Sequence, residues 1–285
     1  MTVMNATRTP GNSSAAGAGA TASDRQAAPF PFPATTEYPF DLTQAAWPSP
    51  LTLAVLAPHP DDFDAIGAAL RFFHRRGDAI HLAVLTTGAS GVEDGFEGAA
   101  TDAQKAELRE REQAASCAFF GLPSERLHFL RLTPDEKGNP RLDEANHARV
   151  RDFLLPRRPD LVFMPHGNDS NVTHQRTYAL FRATALAQNM RTCALLNKDA
   201  KTIAMRIDAY VPFDEQTAAW KAKLLRLHRS QQQRNLNTRG HGFDERVMAI
   251  CREAASELDL NDNYAEVFEI ECFPPQDAAP KTKQE

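Results

Sequence analysis

The stretch LTLAVLAPHPDDFD, residues 51–64, decides the fold because it joins an apolar strand to the start of a helix through a polar turn. Residues 51–57 are apolar apart from one threonine, a pattern typical of a strand buried on both faces. Apolar residues then recur at helical spacing: Ile66, Leu70 and Phe73. The turn carries His59, Asp61 and Asp62. Ligands of open α/β sheets bind beyond the carboxyl ends of strands, so this turn is predicted to border a site.

A second strand end has the same design. The stretch DLVFMPHGNDSNVTH, residues 160–174, contains an apolar strand over 161–164, a polar loop, and a helix predicted to open near Gln175. This loop adds further histidine and aspartate side chains. The simpler interpretation of Asp61 or Asp62 is an N-cap of the following helix. Two such clusters at two strand ends favour a site instead.

Metal binding would explain why both clusters contain histidine and aspartate. Catalytic zinc usually takes three His or carboxylate ligands and keeps a fourth position for water, whose pKa falls to about 7. We predict His59, Asp62 and His174 as the ligands of one zinc ion per chain. Asp61 must point elsewhere than its neighbour and is predicted to be the general base. The same His/Asp/His set also fits non-haem iron oxygenases, so the metal stays open.

The sequence resembles a known family at these motifs. PHPDD, residues 58–62, resembles the signature of the LmbE-like, or PIG-L, deacetylases, and the loop that ends in His174 resembles their second metal motif. Softer matches follow in the same order along the chain: LTTGASG (85–91), REREQAASCAFFGL (109–122), HRSQ (228–231) and YAEVF (264–268). The resemblance spans about residues 51 to 270.

The resemblance implies a zinc hydrolase that removes acetyl from N-acetylglucosamine-type amides. It implies the same ligands, His59, Asp62 and His174, and the same base, Asp61. The expected partner is a small acetylated amino sugar, whose aglycone the sequence does not identify. The expected fold is the LmbE-like one.

One departure from the family concerns the residues before His174. The common family pattern ends in H-P-D-H, whose first histidine is implicated in stabilising the tetrahedral intermediate, whereas this chain has NVTH, residues 171–174. Asn171 can donate a hydrogen bond but cannot shuttle a proton. Either Asn171 polarises the oxyanion, or nearby His166 or Asp169 takes over part of that role. We further hypothesise that Asp169 orients a ligand histidine, with a loop-stabilising Asx turn as the alternative.

Other matched residues have simpler interpretations. Arg109 and Glu112 lie three apart on one predicted helix, where a surface ion pair of a few tenths of a kcal/mol is expected. His228 ends an amphipathic stretch and is expected at the polar edge of a packing face. Tyr264 and Phe268 alternate as in a strand, which predicts packing.

The order of elements predicts the fold class. Strands are expected at 51–57, 79–86, 127–130 and 160–164, alternating with helices at 64–76, 102–121, 145–155 and 175–189. Beyond residue 200 we expect a strand (202–211), two helices (215–229 and 244–258) and a strand ending at Phe268. Such alternation predicts an α/β protein with a Rossmann-like parallel sheet, or one mixed at one edge, flanked by helices.

Composition bounds the remaining properties. The 285-residue chain is predicted to comprise a flexible N-terminal arm (1–45), a single α/β domain (46–273) and a loose C-terminal tail (274–285). A net charge of −5 offers no electrostatic footprint for nucleic acid. Neither a secretory signal nor a membrane span is expected.

The spacing of the cysteines indicates their expected redox state and the cellular compartment of the protein. They are widely spaced and lack a C-x-x-C pair: Cys117, Cys193, Cys251 and Cys272. We therefore expect reduced thiols and a cytoplasmic protein. The oligomeric state is not predictable from the sequence. Besides the iron oxygenase, a non-catalytic sugar-binding module remains an alternative function.

Overall fold

The computed structural model describes residues 38–48 and 50–273, which fold around one β-sheet. The strands of this described part are β1 (Phe40–Asp41), β2 (Thr52–Ala57), β3 (Ala79–Val84), β4 (Leu127–Phe129), β5 (Leu161–Pro165), β6 (Thr192–Asn197), β7 (Ala209–Phe213) and β8 (Tyr264–Phe273). The helices are α1 (Asp62–Ala65), α2 (Gly67–Arg75), α3 (Asp102–Phe120), α4 (Glu144–Leu154), α5 (Val172–Ala187), α6 (Glu215–Leu225), α7 (Arg229–Arg239) and α8 (Phe243–Glu257).

The sheet is parallel except around β8. Its strand order is β1-β7-β8-β6-β5-β2-β3-β4, and β8 runs antiparallel to both β6 and β7. β2 lies between β3 and β5 and is parallel to both. The predicted α/β class, with a mostly parallel sheet mixed toward one side, is confirmed.

The central strands are buried as their unbroken apolar runs predict. All residues from Leu53 to Ala57 and from Leu161 to Pro165 are buried. The ring of Phe163 on β5 lies 5.8 Å from that of Phe73 and 5.6 Å from that of Phe268, measured between centroids. Burial of each such side chain stabilises the folded state by roughly 1.5–3 kcal/mol. This packing fixes the two strands, and with them the turns that follow β2 and β5, beside each other.

The predicted helix 64–76 is in fact two helices. The chain breaks at Ile66, between α1 and α2, so the single-helix prediction is wrong there. The carboxylate of Glu266 on β8 accepts the backbone N–H groups of Ala68 and Ala69, at 2.9 and 2.7 Å. A buried side chain almost 200 positions away therefore caps α2, a contact that no local pattern encodes.

Several predictions beyond residue 190 are also wrong. The structure forms β6, which we did not predict, and residues 202–208 lie outside the strands; β7 covers Ala209–Phe213 instead. The helix predicted at 215–229 ends at Leu225, and α7 follows as a separate helix. The sequence of α7, RSQQQRNLNTR, has no apolar stripe by which it could be recognised.

The segment predicted to start a strand instead supports the loop after β5. The backbone N–H of Ser170 donates to Lys201 at 2.9 Å, and that of Ile203 donates to Asn168 at 2.9 Å. Asp169 and Thr202 form an isolated antiparallel bridge. Residues 199–203 therefore hold the polar loop that precedes His174.

Two of the cysteines form a disulfide, contrary to the expectation of four reduced thiols. Cys193 on β6 and Cys272 on β8 are directly opposite in the antiparallel pair and are bonded. Cys117 and Cys251 are free and buried. The reasoning that led to a cytoplasmic location therefore holds for only two of the four cysteines.

The ends of the chain lie largely outside the description. Residues 1–37 of the predicted arm and the predicted tail, 274–285, are not among the described residues. Phe40 and Asp41, which we assigned to the arm, form β1 and pair with β7. No described helix has both the length and the apolar character needed to traverse a bilayer. The domain limits 46–273 stay a prediction.

Candidate metal and catalytic site

Two adjacent strands bring the predicted ligands together. β2 ends at Ala57, two residues before His59, and β5 ends at Pro165, before the loop that leads into α5. His174 lies in the first turn of α5. Because β2 and β5 are neighbouring parallel strands, both polar segments leave the same edge of the sheet.

The side chains of His59, Asp62 and His174 converge. Their candidate ligand atoms all lie within 4.8 Å of one another. His59 Nδ1 is 3.2 Å from Asp62 Oδ2, and His174 Nε2 is 3.7 Å from Asp62 Oδ1. The structure therefore has the juxtaposition that the metal hypothesis requires, while the role of the three residues as ligands stays a prediction.

The charges within this group are strongly coupled. Burial opposes ionisation of Asp62, but the charge of His174 and the hydrogen bonds from His59 outweigh it and lower the pKa of Asp62 to about 2. Burial also opposes protonation of His174, yet the hydrogen bond to Asp169 and the charge of Asp62 raise the pKa of His174. Metal binding here would compete with protonation of His174.

Asp169 performs both tasks that the sequence left open. Its Oδ2 is 3.0 Å from His174 Nδ1, and its Oδ1 accepts the backbone N–H of Asn171 at 2.6 Å. One oxygen thus orients the histidine, while the other forms the Asx turn. The carboxylate is fully buried, so both contacts are shielded from water.

The sequence analysis missed Asp199. Its Oδ2 lies 3.5 Å from His174 Nδ1, and it forms a second possible metal-binding group with Asp169 and His174. Asp199 follows β6 by two residues, the same position relative to a strand end that His59 has after β2. The apolar run TCALL (192–196) would have indicated this strand end, had it been read as a strand.

The side chain of Asp61 does not cap the N-terminus of α1. Its side chain makes no capping hydrogen bond, and its backbone has φ of 119° and ψ of −24°. Such a conformation costs a non-glycine residue roughly 1–3 kcal/mol and is typical of functional sites. Its backbone N–H donates to Gln113 Oε1 at 3.0 Å. The backbone conformation and this hydrogen bond together fix the position of Asp61 in the turn.

Arg109 and Glu112 are buried, and our prediction of a surface ion pair was wrong. Arg109 is only 2% exposed; its Nη2 lies 3.1 Å from Asp61 Oδ2 and donates to the carbonyl of Pro60. Glu112 lies 3.7 Å from Arg109 and accepts from the backbone N–H and the hydroxyl of Ser230, both at 2.7 Å. This network ties α3 and α7 to the turn after β2.

His228 is buried, as its packing interpretation predicts, but it also has a charged partner. Its Nε2 lies 2.6 Å from Asp64 Oδ2, and neither residue is exposed. The hydroxyl of Ser116 donates to the same oxygen at 3.1 Å. The pair attaches α1 to the residues that join α6 to α7.

His166 and Asn171 differ in what they can contribute. His166 Nδ1 accepts the N–H of Asn168 at 3.0 Å, and its Nε2 lies 3.3 Å from Glu269, so both ring nitrogens have partners outside the ligand group. The side-chain oxygen of Asn171 accepts the N–H of Thr173 at 3.0 Å and caps α5. Its NH₂ group is the part available to donate to a substrate oxygen.

The chain matches a known family over the region that carries these motifs. Residues 54–185 match the family model described as PIG-L: GlcNAc-PI de-N-acetylase. This match includes His59, Asp61, Asp62 and His174. Residues 54–185 therefore form a PIG-L, or LmbE-like, domain. No curated protein sequence matches the chain significantly.

Solved structures share the fold at low sequence identity. N,N'-diacetylchitobiose deacetylase from Pyrococcus horikoshii has a TM-score of 0.65 and 17% identity, covering 79% of this chain and 85% of its own. GalB, the 4-carboxy-2-hydroxymuconate hydratase from Pseudomonas putida KT2440, has a TM-score of 0.63 and 17% identity, covering 80% and 98%. The zinc-inhibited form of teicoplanin deacetylase Orf2 has a TM-score of 0.58 and 15% identity, covering 79% and 100%. Since a hydratase is among them, fold likeness alone does not identify the reaction.

Proposed function

We propose that the chain is a metal-dependent amide hydrolase that removes the acetyl group from an N-acetylglucosamine-type amide. The convergence of His59, Asp62 and His174 carries this proposal, with Asp61 next to Asp62 in the chain. The description of the matched family, a de-N-acetylase of an N-acetylglucosamine lipid, supports the acetamido sugar as the substrate class. This family description does not favour an iron oxygenase or a binding module without turnover.

The donor set fits zinc. Two imidazoles and one carboxylate are a common catalytic set, which leaves a coordination position for water. His59, Asp62 and His174 would hold one ion per chain, with Asp169 orienting His174. When bound, the ion supplies a Lewis acid that stabilises negative charge on oxygen and lowers the pKa of water to about 7.

Asp61 moves the proton in the proposed reaction. Its carboxylate takes a proton from water as the water oxygen bonds to the amide carbonyl carbon. Asp61 then gives this proton to the amine nitrogen as the C–N bond breaks, which leaves acetate and a free amine. Arg109, 3.1 Å from Asp61 Oδ2, holds the carboxylate in place.

Asn171 is proposed to donate a hydrogen bond to the carbonyl oxygen. It lies three residues before His174, where the family pattern has a histidine, and its oxygen is already engaged as the cap of α5. Its NH₂ group stabilises the developing oxyanion as a neutral donor. It cannot exchange a proton, so proton transfer rests on Asp61 alone.

Amine release from acetylated amino sugars and their glycosides tests the function. We expect zinc in the purified protein, and turnover that stops with a chelator and returns with zinc. Asp61→Asn should retain zinc and lose turnover by orders of magnitude. Asparagine tolerates positive φ, so the turn should survive.

Asp259→Asn is the matched control, because Asp259 also has a positive φ, of 51°, but is exposed after α8. It should retain full activity. Iron with oxygen-dependent turnover would instead favour the oxygenase. Sugar binding without turnover, with the same affinity in Asp61→Asn, would favour a binding module.

A further inference from the structure

A small cleft opens beside the candidate metal group, between α8 and the sheet. Its lining includes the carboxylates of Asp62 and Asp199 and the apolar side chains of Ile66, Val247 and Ile250. The cavity volume is about 30 Å³. One water needs roughly 10–15 Å³, so the cleft has room for about two or three heavy atoms.

The carboxylate of Glu266, which lines the cleft, already has hydrogen-bond partners within the protein. Glu266 accepts from Lys221 Nζ at 2.7 Å and from two backbone N–H groups of α2. Lys221 is fully buried and also contacts the thiol of Cys251, at 3.2 Å. Because these groups neutralise one another, the interior of the cleft favours an apolar ligand group over an ion.

The cleft and the metal group share Asp62. An amide that reacts at this group has its acyl carbon chain attached directly to the reacting carbonyl carbon. We propose that the cleft is the acyl subsite: it binds the methyl of an acetyl group, admits one further carbon at most, and excludes longer acyl chains. This inference rests on the proposed amide hydrolysis and adds the selectivity for the acyl group.

Part of the apolar wall of the cleft lies outside the region that the family model matches. Val247 and Ile250 belong to α8, and Val267 belongs to β8, all beyond residue 185. The C-terminal part of this chain therefore contributes to the proposed acyl selectivity. Truncating a wall residue should enlarge the subsite while leaving the candidate ligands and Asp61 unchanged.

Glucosamine carrying acetyl, propionyl, butyryl or hexanoyl amides tests the inference. For the unaltered protein we expect kcat/KM to fall at least tenfold from acetyl to butyryl, since the extra methylenes would have to be forced into a packed site. Ile250→Ala should raise the butyryl-to-acetyl ratio of kcat/KM at least tenfold. Val247→Ala should shift it in the same direction.

Met248→Ala is the control for destabilisation. Met248 is buried on the same helix and clusters with Phe213 and Tyr264, and its side chain is not part of the cleft lining. It should leave the ratio unchanged. Product inhibition gives a second readout: acetate should inhibit the unaltered protein more strongly than butyrate, and Ile250→Ala should reduce that difference.

The outcomes separate the two proposals. Equal hydrolysis of acetyl and butyryl substrates, or wall variants that behave like Met248→Ala, would overturn the acyl subsite and leave the hydrolase intact. Failure to hydrolyse any N-acyl amide, whatever its chain length, would overturn the proposed function and the subsite together.

Discussion

Arg109 and Asp61 form a buried ion pair, with Nη2 3.1 Å from Oδ2. The same guanidinium donates to the carbonyl of Pro60, so it contacts both the side chain and the strained backbone of the turn. The Nε and Nη1 atoms of Arg109 are buried without a hydrogen-bond partner among the described residues. The two contacts of Nη2 therefore attach Arg109 to the turn after β2.

Arg109→Gln should lower kcat by at least tenfold and change KM little, because Asp61 loses the group that positions it. Breaking a buried pair should also cost about 3–5 kcal/mol of stability. Arg109→Lys should recover stability only in part, since an ammonium is more strongly hydrated than a guanidinium and costs more to bury. Steady-state kinetics and urea unfolding measure the two effects.

Arg131→Gln provides the matched control. Arg131, which follows β4, has a side chain that is 64% exposed. It pairs at 2.7 Å with Glu110 of α3, the helix that also carries Arg109. Surface pairs contribute about 0–1 kcal/mol, so this variant should change neither kcat nor stability appreciably. An Arg109→Gln protein with unchanged kcat would show that the pair is only structural.

Asp169→Asn separates the orientation of His174 from the Asx turn. Asparagine retains an oxygen for the N–H of Asn171, but its NH₂ group cannot accept from His174 Nδ1. We expect the fold to survive and metal affinity to fall about 10–100-fold. Asp169→Ala should lose metal to the same extent and also lose stability. Equal zinc content in Asp169→Asn and the unaltered protein, after dialysis against a chelator, would remove Asp169 from the metal site.

Asn171→Ser tests the proposed oxyanion donor. Serine caps helices about as well as asparagine, so α5 should be preserved. The loss of the NH₂ donor should lower kcat by about 10²–10³-fold, as for other oxyanion-hole donors, with little change in KM. Circular dichroism and thermal unfolding control for the cap. A fully active Asn171→Ser protein would contradict the assignment.

The disulfide predicts a specific count of thiols. Denatured protein should show two thiols per chain without reductant and four with it, since Cys193 and Cys272 are bonded and Cys117 and Cys251 are free. Reduction should cost about 2–4 kcal/mol, or roughly 4–16 °C in Tm. Cys272→Ser should abolish the response to reductant, whereas Cys117→Ser should retain it. Four thiols in freshly isolated, unreduced protein would argue against the bond.

Stability should decline in mild acid because of His81 on β3. Burial lowers its pKa to about 4, and the charges of Arg157 and Arg126 contribute in the same direction. Its Nδ1 is buried without a partner among the described residues. The unfolded chain, with a pKa near 6.5, binds this proton more readily than the folded chain does. The contribution is therefore fully present above pH 6.5 and is lost as the pH falls toward 4.

Urea unfolding from pH 7 to pH 4 measures this effect, and His81→Gln should flatten the decline. The same substitution at half-buried His147 on α4 serves as the control and should leave the slope unchanged. An identical slope in His81→Gln and the unaltered protein would rule out His81 as the cause.

Local patterns in the sequence were sufficient for the framework of the fold. The unbroken apolar runs of β2 and β5 predicted buried strands, and the helix predicted over 102–121 is α3, which Gly121 follows in left-handed conformation. Because β2 and β5 are parallel neighbours, the motifs after them predicted that His59 and His174 would lie close together. Their ring centroids are 5.5 Å apart. These features depend on residues adjacent in sequence or on a general property of parallel sheets.

Only the tertiary structure decided the contacts that surround this group. The burial of Arg109 against Asp61, the approach of Asp199 to His174, and the disulfide of Cys193 each depend on residues that are distant in sequence. A charged residue is exposed by default and becomes buried only when a partner compensates its desolvation, so periodicity cannot reveal it. The sequence alone determined which strands carry the candidate site residues, whereas long-range packing determined how those side chains are held.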